Sequence, residues 1–207
     1  MHFVYDFDAT LYETSRLWQA WASALEALGA EPESVIEQGH ILFGQGFTPQ
    51  LHGERLELSG KDFERILKKH FKSIHDEGVG LVYSDVIPFI QEQADTHKQS
   101  ILTFGDPEYQ EIKILASGIS EHISELRFAT PDNMKAMQLR EIVESSSESV
   151  VFIDDNPQEL VWAHDAGLSL TLVRIMREGE RHAEKPHESD NDLWTCISSL
   201  DELNQFM

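Results

Sequence analysis

The feature that most constrains this chain is an alternation of short apolar runs with segments of helical periodicity, which sets in after Gly78 and Gly80 and continues nearly to the end. Ile101 to Phe104, Leu126 to Ala129, Val150 to Asp154 and Leu168 to Ile175 read as strands. Helices are expected from Ser84 to about Thr96, from Pro107 to Ser117 before Gly118, from about Asp132 to Glu144, and from Pro157 to Ala166 before Gly167. Such alternation predicts a parallel sheet, because a parallel neighbour is reached only by a crossover, and crossover helices cover both faces. Phe3 to Phe7 adds a buried strand at the start that runs straight into Asp6, Asp8 and Thr10. The expected fold class is a three-layer, Rossmann-like α/β core.

Between that first strand and the alternating half the pattern is helical throughout. Leu17, Trp21, Ala24, Leu25 and Leu28 repeat at helical spacing, with Thr14 or Ser15 available as a cap and Gly29 as a stop. A second helix is expected over Ser34 to Phe43, and Gly44 to Gly53, rich in glycine, reads as a loop. A third covers Lys61 to Ile74, with Phe63, Ile66, Leu67, Phe71 and Ile74 inward and Lys61, Arg65, Lys68, Lys69 and Lys72 on the opposite, solvated face. The division expected is a core of 1–14 and 81–207 and a helical cap domain of 15–80. Trp18, Trp21 and Trp162 occupy core-like helical positions; Met176 to Asp192 reads as a charged surface loop, followed by an edge strand at Trp194 to Ile197 and a helix at Ser199 to Phe206.

Charge narrows the partners. The 207 residues hold 16 Lys plus Arg against 37 Asp plus Glu, a net charge of −21, which argues against nucleic acid or an anionic membrane as the partner. No apolar run approaches the roughly 20 residues of a membrane span, and MHFVYDFDAT reaches charge too early for a signal peptide, so a cytoplasmic location is expected. Cys196 is the single cysteine, which excludes an internal disulfide framework and a cysteine-rich zinc site.

In an open parallel sheet, reactive groups gather beyond the carboxyl ends of the strands. Those ends carry Asp6, Asp8 and Thr10 on the first strand, Thr103 on the second, and Asp154 and Asp155 near 150, with Glu159 a helical turn later and Lys135 opening the helix before. Carboxylates converging this way need a cation among them, and an oxygen-only donor set suits Mg²⁺. The inventory covers phosphoryl transfer: a carboxylate to attack phosphorus, a second to move the proton, and a hydroxyl and an ammonium to hold phosphate oxygens.

Asp6-Phe7-Asp8-Ala9-Thr10, the strand ending in Thr103, Lys135, and Asp154-Asp155 with Glu159 together resemble, in order, the four motifs of the haloacid dehalogenase-like hydrolases. Thr103-Phe104-Gly105-Asp106 with Gln110, Lys113, Ser117 and Gly118 is similar to a pattern of one capped branch. The resemblance implies Asp6 as nucleophile and metal ligand, and Asp8 as general acid/base that lends its backbone carbonyl to the metal. It implies Thr103 and Lys135 on the transferring phosphate, with Phe7, Thr10, Phe104 and Gly105 contributing to substrate binding. Asp154 and Asp155 would complete the Mg²⁺ site with Asp6 and Asp8. The dehalogenases that name the family lack an acid at the place of Asp8, so its presence points to phosphate esters and to a small phosphorylated metabolite as partner. Ala9 stands where the family usually has Gly, placing a Cβ on a tight loop, and Phe104 where a polar residue is common.

Plainer roles are expected elsewhere. Lys113, in mid-helix, reads as an ordinary solvated lysine, and His52 and Arg55 as surface groups or contacts to a leaving group. The ten histidines show no metal-binding spacing. Alternatives to hydrolysis are transfer of the phosphoryl group to another alcohol, as in a mutase, and metal or phosphate binding without catalysis. A phosphorylatable signalling receiver is disfavoured by chain order, because Asp6 and Asp8 share the first strand's loop.

Overall fold

The computed structural model describes every residue except Glu184, Lys185, Asn191 and Met207. The first strand, β1 (His2–Tyr5), is buried on both faces, which is why its sequence shows no polar alternation. The chain then makes α1 (Thr14–Glu26), α2 (Pro32–Phe43), α3 (Pro49–Arg55) and α4 (Gly60–Glu77), and returns through a 3₁₀ turn at Gly78–Leu81 to α5 (Val86–Gln93). Strand and helix alternate from there: β2 (Lys98–Phe104), α6 (Pro107–Ser117), β3 (Glu125–Ala129), α7 (Lys135–Ser145), β4 (Val150–Asp154), α8 (Pro157–Asp165) and β5 (Thr171–Ile175). A short edge strand, β6 (Thr195–Ile197), and a 3₁₀ segment, Leu200–Phe206, close the described chain.

The sheet is parallel throughout, in the order β3-β2-β1-β4-β5-β6. Successive side chains alternate between its faces. Phe3, Tyr5, Ile101, Val151 and Ile153 pack with α5, α6 and the closing 3₁₀ segment, whereas Val4, Leu102 and Phe152 pack with α7 and α8. The expected three-layer α/β fold is therefore the one formed. The chain leaves β1 toward β2 on one side and later crosses to β4 on the other, so the strand order reverses at β1. A crevice opens at such a switch point, outside the carboxyl ends of the strands. The register places Tyr5 opposite both Ile101 and Ile153, which brings Asp6, Thr103 and Asp154 to the same edge.

The helical insertion has an apolar cluster of its own, formed by Trp21, Leu25, Val35 and Phe63 with Trp18, Ile66 and Leu67 against it. The basic face of α4 is solvated as expected, with Arg65 paired to Asp62 and Lys72 to Asp76. The stretch read as a loop over Gly44 to Gly53 instead contains the start of α3. Thr48 caps it by accepting from the Leu51 amide, Pro49 opens it, and Gly53 is there because a Cβ would collide with the Phe63 ring. His52 is fully buried, accepting from Trp21 Nε1 at 3.1 Å and bonded to the Val35 carbonyl at 3.0 Å. Trp162 is 40% exposed, contrary to its core-like spacing.

Met176 to Asp192, expected to be a surface loop, is anchored in its described part. Arg174, fully buried on β5, grips Asp190 at 2.7 and 2.8 Å and the His182 carbonyl at 2.7 Å. Arg177 donates to the Thr10 carbonyl and to Asp85, and its guanidinium lies 4.3 Å over the Tyr83 ring. Among the described residues no helix is long and apolar enough to cross a membrane.

One insertion-to-core contact has a pH signature. His70 of α4 is buried and hydrogen-bonded to the Tyr109 hydroxyl of α6 at 2.9 Å; burial, helped by the charge of Lys113, lowers its pKa from 6.5 to about 4. Between those values the unfolded chain takes up a proton that the folded one refuses, so stability present above pH 6.5 is lost as pH falls toward 4. The shift corresponds to roughly 3 kcal/mol for this group. Urea unfolding of His70→Gln across this range is expected to show a shallower acid loss than the unaltered protein; parallel profiles would contradict the assignment.

Candidate active site

The tip of β1 builds the site. Asp6 follows β1 directly, and its amide donates to the Ile153 carbonyl at 2.8 Å, which locks it beside Asp154 at the tip of β4. Lys135, the first residue of α7, is buried between them, with Nζ 2.6 Å from Asp6 Oδ1 and 2.7 Å from Asp154 Oδ2. Carboxylate oxygens of Asp6, Asp154 and Asp155 lie within 4.8 Å of one another, all three residues buried. Glu159, one turn into α8, is buried beside them with Oε2 lacking a hydrogen-bond partner.

One ammonium does not balance this group. Burial, and then Asp154 and Asp6, push the Asp155 carboxyl well above the usual range. Burial also raises Asp6, and its neighbouring carboxylates add to the rise against the opposing pull of Lys135. Lys135 moves well upward: its burial opposes the charge, but Asp154 and Asp6 overcome it. Buried oxygen donors in excess of their cations fit a hard divalent cation, which Asp6, Asp154 and Asp155 could hold.

The Asp8 carboxylate stands apart from this group. Lys113 holds it at 2.5 and 2.7 Å, Thr14 Oγ1 donates to it at 2.7 Å and Gln110 Nε2 at 2.8 Å. Burial works against the charge of Asp8, yet the charge and hydrogen bond of Lys113, with those of Thr14 and Gln110, keep its pKa below the usual value. Lys113 is therefore no solvated lysine. It is 3% exposed because α6 turns Tyr109, Gln110, Lys113, Ile114 and Ser117 inward, a helical stripe that includes its polar members. Thr14 does not cap α1 with its side chain, since its hydroxyl is committed to Asp8.

A cavity of about 600 Å³ lies between the strand tips and the insertion, and Asp6, Asp8, Thr103, Lys135, Asp154 and Asp155 all line it. Thr103 Oγ1 is buried and without a partner. Phe104 and Gly105 also line the cavity, whereas Phe7 and Thr10 do not. The Phe7 ring stacks on Tyr12 in the core, and the Thr10 carbonyl accepts from Arg177. His52 and Arg55 are likewise absent from the lining.

Glu180 carries no signal in its sequence setting, because the charged stretch around it has no periodicity. It is 6% exposed, lines the cavity, and accepts from the Ser15 amide at 3.1 and 3.2 Å, from Ser15 Oγ at 2.6 Å and from the Tyr83 hydroxyl at 2.9 Å. A carboxylate at the start of α1 also meets the positive end of the helix dipole.

Solved structures share this architecture. A haloacid dehalogenase-like hydrolase from Burkholderia xenovorans matches with a TM-score of 0.75 at 19% identity, over 99% of this chain and 96% of that one. A HAD phosphatase from Thermococcus onnurineus matches at 0.67 and 19%, over 99% and 96%. An L-2-haloacid dehalogenase from Xanthobacter autotrophicus matches at 0.67 and 14%, over 99% and 97%. The chain thus has the fold of the haloacid dehalogenase-like hydrolases, shared by phosphatases and dehalogenases alike. No family model and no curated protein matches it.

Ala9 sits on the loop after Asp8 at φ 59°, in the left-handed region. Ala9→Gly relieves strain of about 1 kcal/mol and loosens the unfolded chain by a similar amount, so chemical denaturation is expected to show a net change under about 1 kcal/mol. Ala9→Val, β-branched at positive φ, is expected to cost about 2 kcal/mol or more. Lys113→Met strands the Asp8 charge and is expected to cost about 3 kcal/mol, most of it recovered in Lys113→Met/Asp8→Asn. Additive losses in that double variant would show that the pair is not coupled.

Proposed function

We propose that this protein is a Mg²⁺-dependent phosphatase that hydrolyses a small phosphomonoester through an aspartyl-phosphate. The observation that carries the reading is the buried group of Asp6, Asp154 and Asp155 around Lys135, with the unpartnered Thr103 hydroxyl facing the same cavity. Asp6, Asp154 and Asp155, with the Asp8 backbone carbonyl, would hold Mg²⁺, which when bound would neutralise charge between nucleophile and phosphate.

The protein's own groups divide the chemistry. An Asp6 carboxylate oxygen forms a bond to phosphorus as the ester P–O bond breaks, and Asp8, when protonated, gives its proton to the departing alkoxide. Water then attacks phosphorus, Asp8 takes the proton of that water, and Asp6 is released with inorganic phosphate. Lys113 holds Asp8 in the ionised form, the form that receives this second proton. Lys135 orients Asp6 and meets the phosphate oxygens together with Thr103. The carboxylate at Asp8 supports a phosphate ester over a carbon–halogen bond, because an alkoxide leaving group needs a proton and a halide does not. The partner is accordingly a small phosphorylated metabolite in an aqueous compartment, the cytoplasm by expectation.

Phosphate release from a panel of phosphomonoesters with Mg²⁺ is the direct measurement. Asp6→Asn is expected to lower kcat/KM by about 10³-fold or more, and Asp155→Asn to raise the Mg²⁺ concentration needed for half-maximal rate by about tenfold or more. Chelation of the metal should stop turnover reversibly. Wild-type rates in Asp6→Asn would overturn the mechanism.

A further inference from the structure

We propose that the alcohol carried by the substrate phosphate is apolar, with a ring-sized hydrocarbon body rather than a row of hydroxyls. This rests on the phosphoester reading and concerns the part of the cavity that the phosphate does not fill. A phosphoryl group at Asp6 occupies a minor share of about 600 Å³, a volume typical of sites for much larger ligands.

Much of the remaining wall is aromatic. Trp18 from α1, Phe43 from the end of α2, Phe47 from the following turn and Tyr109 from α6 all line it. Their rings form one connected group: Trp18 meets Phe43 at 5.0 Å and Phe47 at 5.8 Å, both edge to face, and Phe47 meets Tyr109 at 5.9 Å. Trp18 is fixed from another side by stacking on the buried His52 at 5.4 Å. Trp18, Phe43 and Phe47 are half-buried, so part of each ring faces the cavity.

Four polar groups along the same wall have partners within the protein, and the Arg181 guanidinium, also in the lining, lies 5.9 Å over the Phe43 ring. The Thr14 hydroxyl is on Asp8, the Ser15 hydroxyl on Glu180, His70 Nε2 on the Tyr109 hydroxyl, and Trp21 Nε1 on His52. A polyhydroxylated leaving group would give up water against these rings without replacement hydrogen bonds, a loss that lowers kcat/KM by about 10- to 100-fold in an apolar pocket. An apolar body loses nothing there and removes ring surface from water.

The experiment compares benzyl phosphate with glycerol 1-phosphate, both esters of primary alcohols, in the presence of Mg²⁺. The kcat/KM for benzyl phosphate is expected to exceed that for glycerol 1-phosphate by about 30-fold or more. Phe47→Ala should shrink that ratio about tenfold, and Phe47→Leu, which keeps an apolar side chain, should retain most of it. Folding of both variants is checked by their Tm. A parallel calorimetric titration uses benzylphosphonate and 2,3-dihydroxypropylphosphonate, which cannot be turned over, and about tenfold tighter binding of the benzyl compound is expected. Equal affinities, or equal kcat/KM for the two esters, would overturn the apolar leaving group while leaving the phosphatase reading intact. Selective binding of benzylphosphonate with no turnover of any ester would overturn the phosphatase reading and uphold the apolar pocket.

Discussion

The buried ammonium of Lys135, shared between Asp6 and Asp154, is the contact on which the site depends. It joins the tips of two adjacent strands to the first residue of α7, so β1 is tied to the α7–β4 unit more than a hundred residues later by one charge. Removing it would leave buried carboxylates facing one another, and charges stranded in that way cost more than the pair contributes when intact. Asp155 and Glu159 crowd the same volume, so one ammonium faces more carboxylates than it offsets, and Asp6, Asp154 and Asp155 could hold a metal ion.

Asp6 and Asp8, two residues apart, sit in opposite electrostatic surroundings. Asp6 lies among like charges and is pushed up; Asp8 lies among donors and is pulled down. The loop carrying Asp8 accepts a left-handed Ala9, a local cost that the surrounding contacts sustain: the Ala9 amide donates to the Tyr12 carbonyl at 2.9 Å, with Thr14 Oγ1 also within reach at 3.1 Å. Thr14 therefore does more than open a helix, since its hydroxyl connects the loop after β1 to the start of the insertion.

The parallel sheet was legible because strands buried on both faces are written as unbroken apolar runs, and the strand tips were legible because acids and hydroxyls end those runs abruptly. Asp6, Asp8, Thr103, Lys135, Asp154 and Asp155 consequently meet in one cavity, as their places in the sequence predict. Other elements were not readable for identifiable reasons. α3 was obscured by Gly53, which reads as a loop residue but serves close packing against Phe63. Lys113 was obscured because a lysine in mid-helix is ordinarily solvated; its spacing with Gln110 and Ser117 on the inward stripe was the available signal. Glu180 had no signal, because its partners, Ser15 and Tyr83, are far away in sequence and meet it only once the sheet has closed.

That carboxylate has a mechanical meaning. Ser15 opens the helical insertion and Tyr83 follows it, so the two crossings between insertion and sheet are fastened to one side chain, itself carried by the segment after β5. Two attachment points pinned to a common post oppose sliding of the insertion across the sheet. The aromatic wall, carried largely by the insertion, is thereby held in lateral alignment with the carboxylates at the strand tips.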